Sequence, residues 1–216
     1  MSLLVYCSYP ILGQQSEPSW VSSLSDVLSR NKGQYCLYRP WLTLEDQLKN
    51  SDLQQCLVKD PNPILGNNSS LFKIPDRVFS PVSDVINDLL FFDGTDPHVL
   101  MPIKDLYCLV RSQILIADIS LPSYGEVPSD VLLAYMANIP VIGITNRFVN
   151  SPSLVSKMEA LITAPNVSTV ISKLIPQLTA MALGYVSSDY HKNGDLTKEE
   201  TKTENIDHGG QDITSK

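Results

Sequence analysis

The chain has 216 residues, 43% of them hydrophobic, enough to fill the core of one ordinary domain. Its 23 Asp and Glu outweigh 16 Lys and Arg, giving a net charge of -7, and there is no basic stripe of the kind that binding a phosphate backbone requires. Nucleic acid is therefore not an expected partner.

The apolar run "LLVYCS" (Leu3 to Ser8) has the length and composition of a buried strand. The start "MSLLVYCSYPIL" lacks a basic flank and a small-residue cleavage site, so it does not read as a signal peptide. No apolar stretch reads as reaching the eighteen or so residues needed to span a bilayer. The expectation is a soluble, cytoplasmic protein with no membrane partner. From Trp20 to Arg30, Trp20, Val21, Leu24, Val27 and Leu28 recur at helical spacing, and "YCLYRPW" (Tyr35 to Trp41) returns as a second strand.

"LTLEDQLKNSDLQQCLV" then has helical character, whereas "KDPNPILGNNSSLFKIPDRVFSPVSD" is rich in turn formers. The stretch 59–97 accordingly reads as a long irregular loop, either an active-site cover or an insertion. "PIKDLYCLVRS" (Pro102 to Ser112) is a helix feeding "QILIAD", a continuous apolar strand of the kind buried on both faces in parallel sheets. A helix opening near Val127 presents Val127, Val131, Leu132 and Tyr135 as a stripe, and Pro128 suits its first turn. "PVIGIT" is the next strand, and Val167, Val170, Ile171, Leu174, Ile175, Leu178 and Met181 mark a last helix.

This alternation of strands and helices is that of an α/β domain, an open parallel sheet with helices on both faces, over residues 1–185. Residues 186–216 read as a polar tail without fixed structure. Cys7, Cys36, Cys56 and Cys108 form no C-x-x-C pair and sit in or beside apolar runs, as reduced core thiols do.

In open parallel sheets ligands bind beyond the carboxyl ends of the strands. Three loops qualify: "SYPILGQQ" after the first strand, "ISLPSYGEVPSD" after "QILIAD", and "NRFVNSPS" after "PVIGIT". Asp130, in the first turn of its expected helix, suits a carboxylate nucleophile held negative by the helix dipole, and equally suits a helix cap. Glu126 is a competing carboxylate in the same turn. Asp105 stands near another helix start, and Tyr6 is a strand aromatic. Ser123 and Gly125, in "PSYG", are turn residues of a type that also meets a phosphate or a sugar hydroxyl.

Only His98 among the three histidines lies in the folded region, so neither a metal site nor a Ser-His-Asp triad is expected. The phosphate-binding patterns G-x-x-x-x-G-K-S/T and G-x-G-x-x-G are absent, so no cofactor is expected.

Taken in order, these segments resemble the nucleoside 2-deoxyribosyltransferase family, including the related 2′-deoxynucleoside 5′-phosphate N-hydrolases. The likeness runs in outline over residues 3–145 and closely over 105–145. It rests on a Tyr-bearing first strand opening into a small-residue loop, "VYCSYPILG", and on Asp105 eight residues ahead of "QILIADIS". It continues through the "PSYG" turn to a carboxylate helix running into a Pro-containing strand, "DVLLAYMANIPVIGIT". Three departures stand out beside it. Gln113 replaces an Asp at the strand start, and Asp130, one methylene shorter than the family's Glu, follows a turn that is one residue longer.

The resemblance implies a flavodoxin/Rossmann-like fold and a small-molecule nucleoside or nucleotide substrate cleaved at its N-glycosidic bond without metal or cofactor. It implies Asp130 as nucleophile, Asp105 as the group that binds or protonates the base, and Tyr6 as the residue that orients the nucleophile. Ser8, Tyr9, Ser123, Gly125, Glu126 and Asn146 become substrate-binding candidates, Asn146 from a neighbouring subunit of a homo-oligomer. Neither "CSYPILGQQ" nor "PSYG" contains Arg or Lys, which favours nucleosides over their monophosphates. The alternative is a catalytically inactive nucleotide- or nucleobase-binding module of the same fold.

Overall fold

The computed structural model describes residues 2–11, 16–30, 34–50, 52–91, 103–120, 126–147 and 151–195. Strands β1 (Leu3–Ser8), β2 (Tyr35–Tyr38), β3 (Ile114–Asp118), β4 (Val141–Thr145) and β5 (Ala160–Thr163) form a parallel sheet in the order β2-β1-β3-β4-β5. This is a flavodoxin-like open α/β sheet, and its strand order reverses between β1 and β3, where the carboxyl ends leave a crevice.

Helix α1 (Ser19–Ser29) joins β1 to β2 and buries Trp20, Val21, Leu24 and Leu28. The long β2-to-β3 connection is helical where it is described. Its helices are α2 (Leu44–Asn50), α3 (Leu53–Leu57), α4 (Pro63–Asn67), α5 (Ser69–Phe72), a 3-10 turn at Asp76–Phe79, α6 (Val82–Phe91) and α7 (Ile103–Leu109).

The expectation of an irregular 59–97 loop is thus corrected as far as Phe91, with 92–97 outside the described residues. The turn formers are there because helices of four or five residues need starts and stops close together. Asn62 caps α4 through Ile64 N–H at 2.9 Å, with Pro63 at its first position, and Lys73 closes α5 in the left-handed region. Leu65, Val78, Val85 and Leu89 of this segment are buried in one core with Leu4, Tyr6 and Leu115 of the sheet. Arg111 fastens it there, donating to the carbonyls of Val78 (2.7 Å) and Ser80 (3.0 Å) with its guanidinium over the Tyr107 ring.

Helix α8 (Glu126–Met136) lies on that same face and α9 (Pro152–Val155) links β4 to β5. Alternation along β1 sends Leu4, Tyr6 and Ser8 to this face and Val5 and Cys7 to the other. Strand β5 was not evident from sequence. It is four residues long and lies at the sheet edge, with a mixed burial pattern that gives neither a continuous nor an alternating apolar run.

The last helix, α10 (Val167–Asp195), runs past the expected boundary at 185. The chain divides into one compact unit of Met1–Met181 and a second of Ala182–Lys216, of which 196–216 lie outside the described residues. Contrary to the sequence reading, one window, Val167–Gly184, is long and apolar enough to cross a membrane. Within the first unit this helix has Val170, Leu174 and Leu178 buried at successive turns, the pattern of a helix packed on a core. All four cysteines are buried free thiols.

Candidate active site

The register of the sheet assembles the site. Tyr6 of β1 stands directly opposite Tyr38 of β2, so both rings leave the sheet on the same face, with centroids 5.3 Å apart. Two residues along β1, Ser8 ends the strand on that face. Its hydroxyl donates to Asp130 Oδ2 at 2.7 Å, joining the carboxyl end of β1 to α8 across 122 residues. The Tyr38 hydroxyl donates to Asp105 Oδ1 in the first turn of α7. Asp130, Asp105, Ser8, Tyr6 and Tyr38 are all buried, Asp130 at 5% exposure.

Helix α8 opens at Glu126, making Asp130 its fifth residue. The expected first-turn position, and with it the helix-cap reading, is corrected: in the second turn the backbone N–H groups already have intrahelical partners. What orients the carboxylate is the Ser8 hydroxyl. Asp105 does occupy a first turn, but there too a side chain from another element, Tyr38, engages it.

Burial raises the Tyr6 phenol well above its ordinary range, and the carboxylates of Asp130 and then Asp105 push it further the same way. Tyr38 is raised by burial and next by Asp105. Both phenols therefore keep their protons, and Tyr38 is the one that donates to the acidic pair, at Asp105.

Tyr9 belongs to a neighbouring network. Its hydroxyl donates to Glu17 Oε1 and accepts from Trp41 N–H, both at 3.1 Å, and Glu17 forms an ion pair with Arg39. Asn146 is exposed and on the other side of the sheet tips, its N–H donating to Ser120 Oγ at 3.3 Å. Ser123 and Gly125 lie outside the described residues. Glu126 is described only as the first residue of α8. Gln113 is not near the site: it clamps the opposite end of β1, accepting from Leu4 N–H at 2.8 Å and Lys59 at 3.0 Å.

No protein-family model and no curated protein matches the chain. A solved structure described as a conserved protein from Enterococcus faecalis V583 is similar to it, at a TM-score of 0.43 and 13% identity over 82% of this chain and 99% of that one.

Sequence reasoning missed Tyr38, Glu17, Arg39 and Lys104. Lys104 is buried at the start of α7, 3.5 Å from the Pro40 carbonyl, so this end of the sheet carries cations that the two loops lack. The signal available was slight: "YCLYR" puts Tyr38 at the last position of its strand, where side chains reach the ligand crevice. Among the described residues no group of three or more His, Cys, Asp or Glu side chains is arranged to hold a metal ion.

In chemical terms the site offers two carboxylates with dissimilar partners. One is held by an aliphatic hydroxyl at the strand tip and the other by a phenol, with a second protonated phenol beside them. Such a pair can divide the labour of a displacement at an acetal-like carbon, one carboxylate as nucleophile and the other as proton carrier.

Proposed function

We propose that the protein cleaves or transfers at the N-glycosidic bond of a deoxynucleoside or its monophosphate, with Asp130 as nucleophile. The observation that carries this reading is the buried Ser8–Asp130 hydrogen bond at the β1/β3 switch point, with Tyr6 and the Tyr38–Asp105 pair beside it.

On this reading Ser8 fixes the carboxylate rotamer, and Asp130 attacks the anomeric carbon as the base departs. Asp105, carrying a proton on the oxygen that Tyr38 does not engage, gives it to the leaving base; water or a second base then displaces the sugar from Asp130, and the proton of the incoming group returns to Asp105. No cofactor enters. Arg39 is committed to Glu17 and Lys104 is buried against the Pro40 carbonyl, which together with the lack of Arg and Lys in the two loops favours a nucleoside over its phosphate. The same reading makes the protein a cytoplasmic homo-oligomer in the nucleoside 2-deoxyribosyltransferase family.

The test is chromatographic product analysis with a panel of 2′-deoxynucleosides and their 5′-monophosphates, with and without a free acceptor base. Base release or exchange is expected, reduced by on the order of a thousandfold or more in Asp130→Ala. Full activity in Asp130→Ala would remove Asp130 from the nucleophile role.

The near-complete burial of Asp130 and Ser8 favours a second reading, a binding module in which the carboxylate only anchors a nucleobase or sugar. It calls for ligand-dependent stabilisation with no turnover.

A further inference from the structure

A cavity of about 590 Å³ opens at the carboxyl ends of β3, β4 and β5, on the face of the sheet opposite Asp130. This volume lies within the range of small-molecule sites. Its polar centre is Asp118, whose two oxygens are held by different donors: Oδ2 by the Trp20 indole N–H at 2.8 Å and Oδ1 by Ser120 N–H at 2.9 Å. That carboxylate is fixed in place before any ligand arrives.

The charge of the cavity selects against ions. Among the described residues lining it there is no Lys, Arg or His, so a phosphate or carboxylate meets no side-chain counter-charge from them. Glu17 in the wall is neutralised by Arg39. The remaining negative charge, on Asp118, faces the first residues of both α1 and α10, which also line the cavity and bring two partial positive helix ends to it. The balance is near zero, and an uncharged ligand suffers least on leaving water.

The rest of the lining specifies its shape. Pro18, Pro165, Val167 and Val170 give an apolar wall for a ring. Asn146 and Asn166 give amides that match the mixed donor and acceptor edge of a heterocycle, Asn166 turning its Oδ1 to Thr169 N–H at 2.9 Å, which makes NH2 the opposite end of that amide. A carboxylate that already accepts one N–H on each oxygen retains lone pairs for hydroxyl donors.

We propose that this cavity is a separate small-molecule site that takes an uncharged, hydroxyl-bearing heterocycle of nucleoside size. Its occupancy does not depend on Asp130 or on glycosidic chemistry.

Isothermal titration calorimetry of the full chain with adenosine and with uridine, each beside its 5′-monophosphate, tests the assignment. At least one nucleoside is expected to bind, with its monophosphate at least tenfold weaker. Affinity should stay within about twofold in Gln54→Ala, on the exposed side of α3 and not part of the cavity, and fall at least tenfold in Ser19→Trp, which obstructs the rim from an exposed position. Circular dichroism checks that Ser19→Trp folds; should it not, Asp118→Asn carries the same expectation. Binding undiminished in Ser19→Trp, a monophosphate as tight as its nucleoside, or no binding of either nucleoside at millimolar concentration overturns the proposal. Turnover of deoxynucleosides is scored separately, so a protein that binds at the rim without turnover refutes only the glycosidic reading.

Discussion

Tyr6 and Tyr38 sit in register beside two carboxylates, and this determines how the protein responds to alkali. Burial raises both phenols, and Tyr9 and Tyr107 as well. A tyrosine with a folded pKa above its unfolded value near 10 lends stability that is complete below about pH 10 and is lost as pH rises through the folded value. Titration upward from pH 10 is therefore expected to show a phenolate absorbance step from these four of the nine tyrosines that coincides with loss of far-ultraviolet circular dichroism. If all nine tyrosines ionised while the dichroism held, the buried phenol donor assigned to Asp105 would have to be abandoned. At this scale the sequence shows residue types but not partners. Asp130 and Asp105 were legible through the pattern of their helices, whereas Tyr38 and Arg39 were not, because their partners lie 67 and 22 residues away and meet them only through the sheet register.

At the scale of elements, β1 is held at both ends by side chains rather than by backbone alone. Ser8 ties its carboxyl end to α8, and Gln113 ties its amino end to the residue before β3, donating as well to the Arg111 carbonyl at 2.7 Å. Gln113→Ala leaves the buried Leu4 N–H without that acceptor and is expected to cost about 2 kcal/mol in urea unfolding. Gln54→Ala, on the exposed side of α3, is expected to stay within about 0.5 kcal/mol. Equal effects of the two would mean that the clamp contributes nothing. Elements differed in legibility for a related reason. Ile114–Ala117 and Val141–Ile144 are apolar throughout because neighbours cover both of their faces. The helices between Pro63 and Phe79 are so short that caps and prolines dominate their composition, and by local pattern they cannot be told from a loop.

At the scale of the whole molecule, the last core residue described in α10 is Leu178, and Leu183 beyond it is 66% exposed. A chain ended after Met181 is expected to keep its melting temperature within about 3 °C, since exposed termini contribute little to a packed core. A larger fall would show that residues beyond 181 help to hold the domain together. The position of β1 has a kinetic side as well. The earliest of the five described strands is an interior strand of the sheet, and its second neighbour, β3, is 109 residues later in the chain. During synthesis β1 can pair with β2 early, but its other edge has no native partner until most of the domain has left the ribosome. Closing so long a loop makes the β1–β3 pairing a late event, and the interval before it is when the nascent chain is most open to strand addition by another copy.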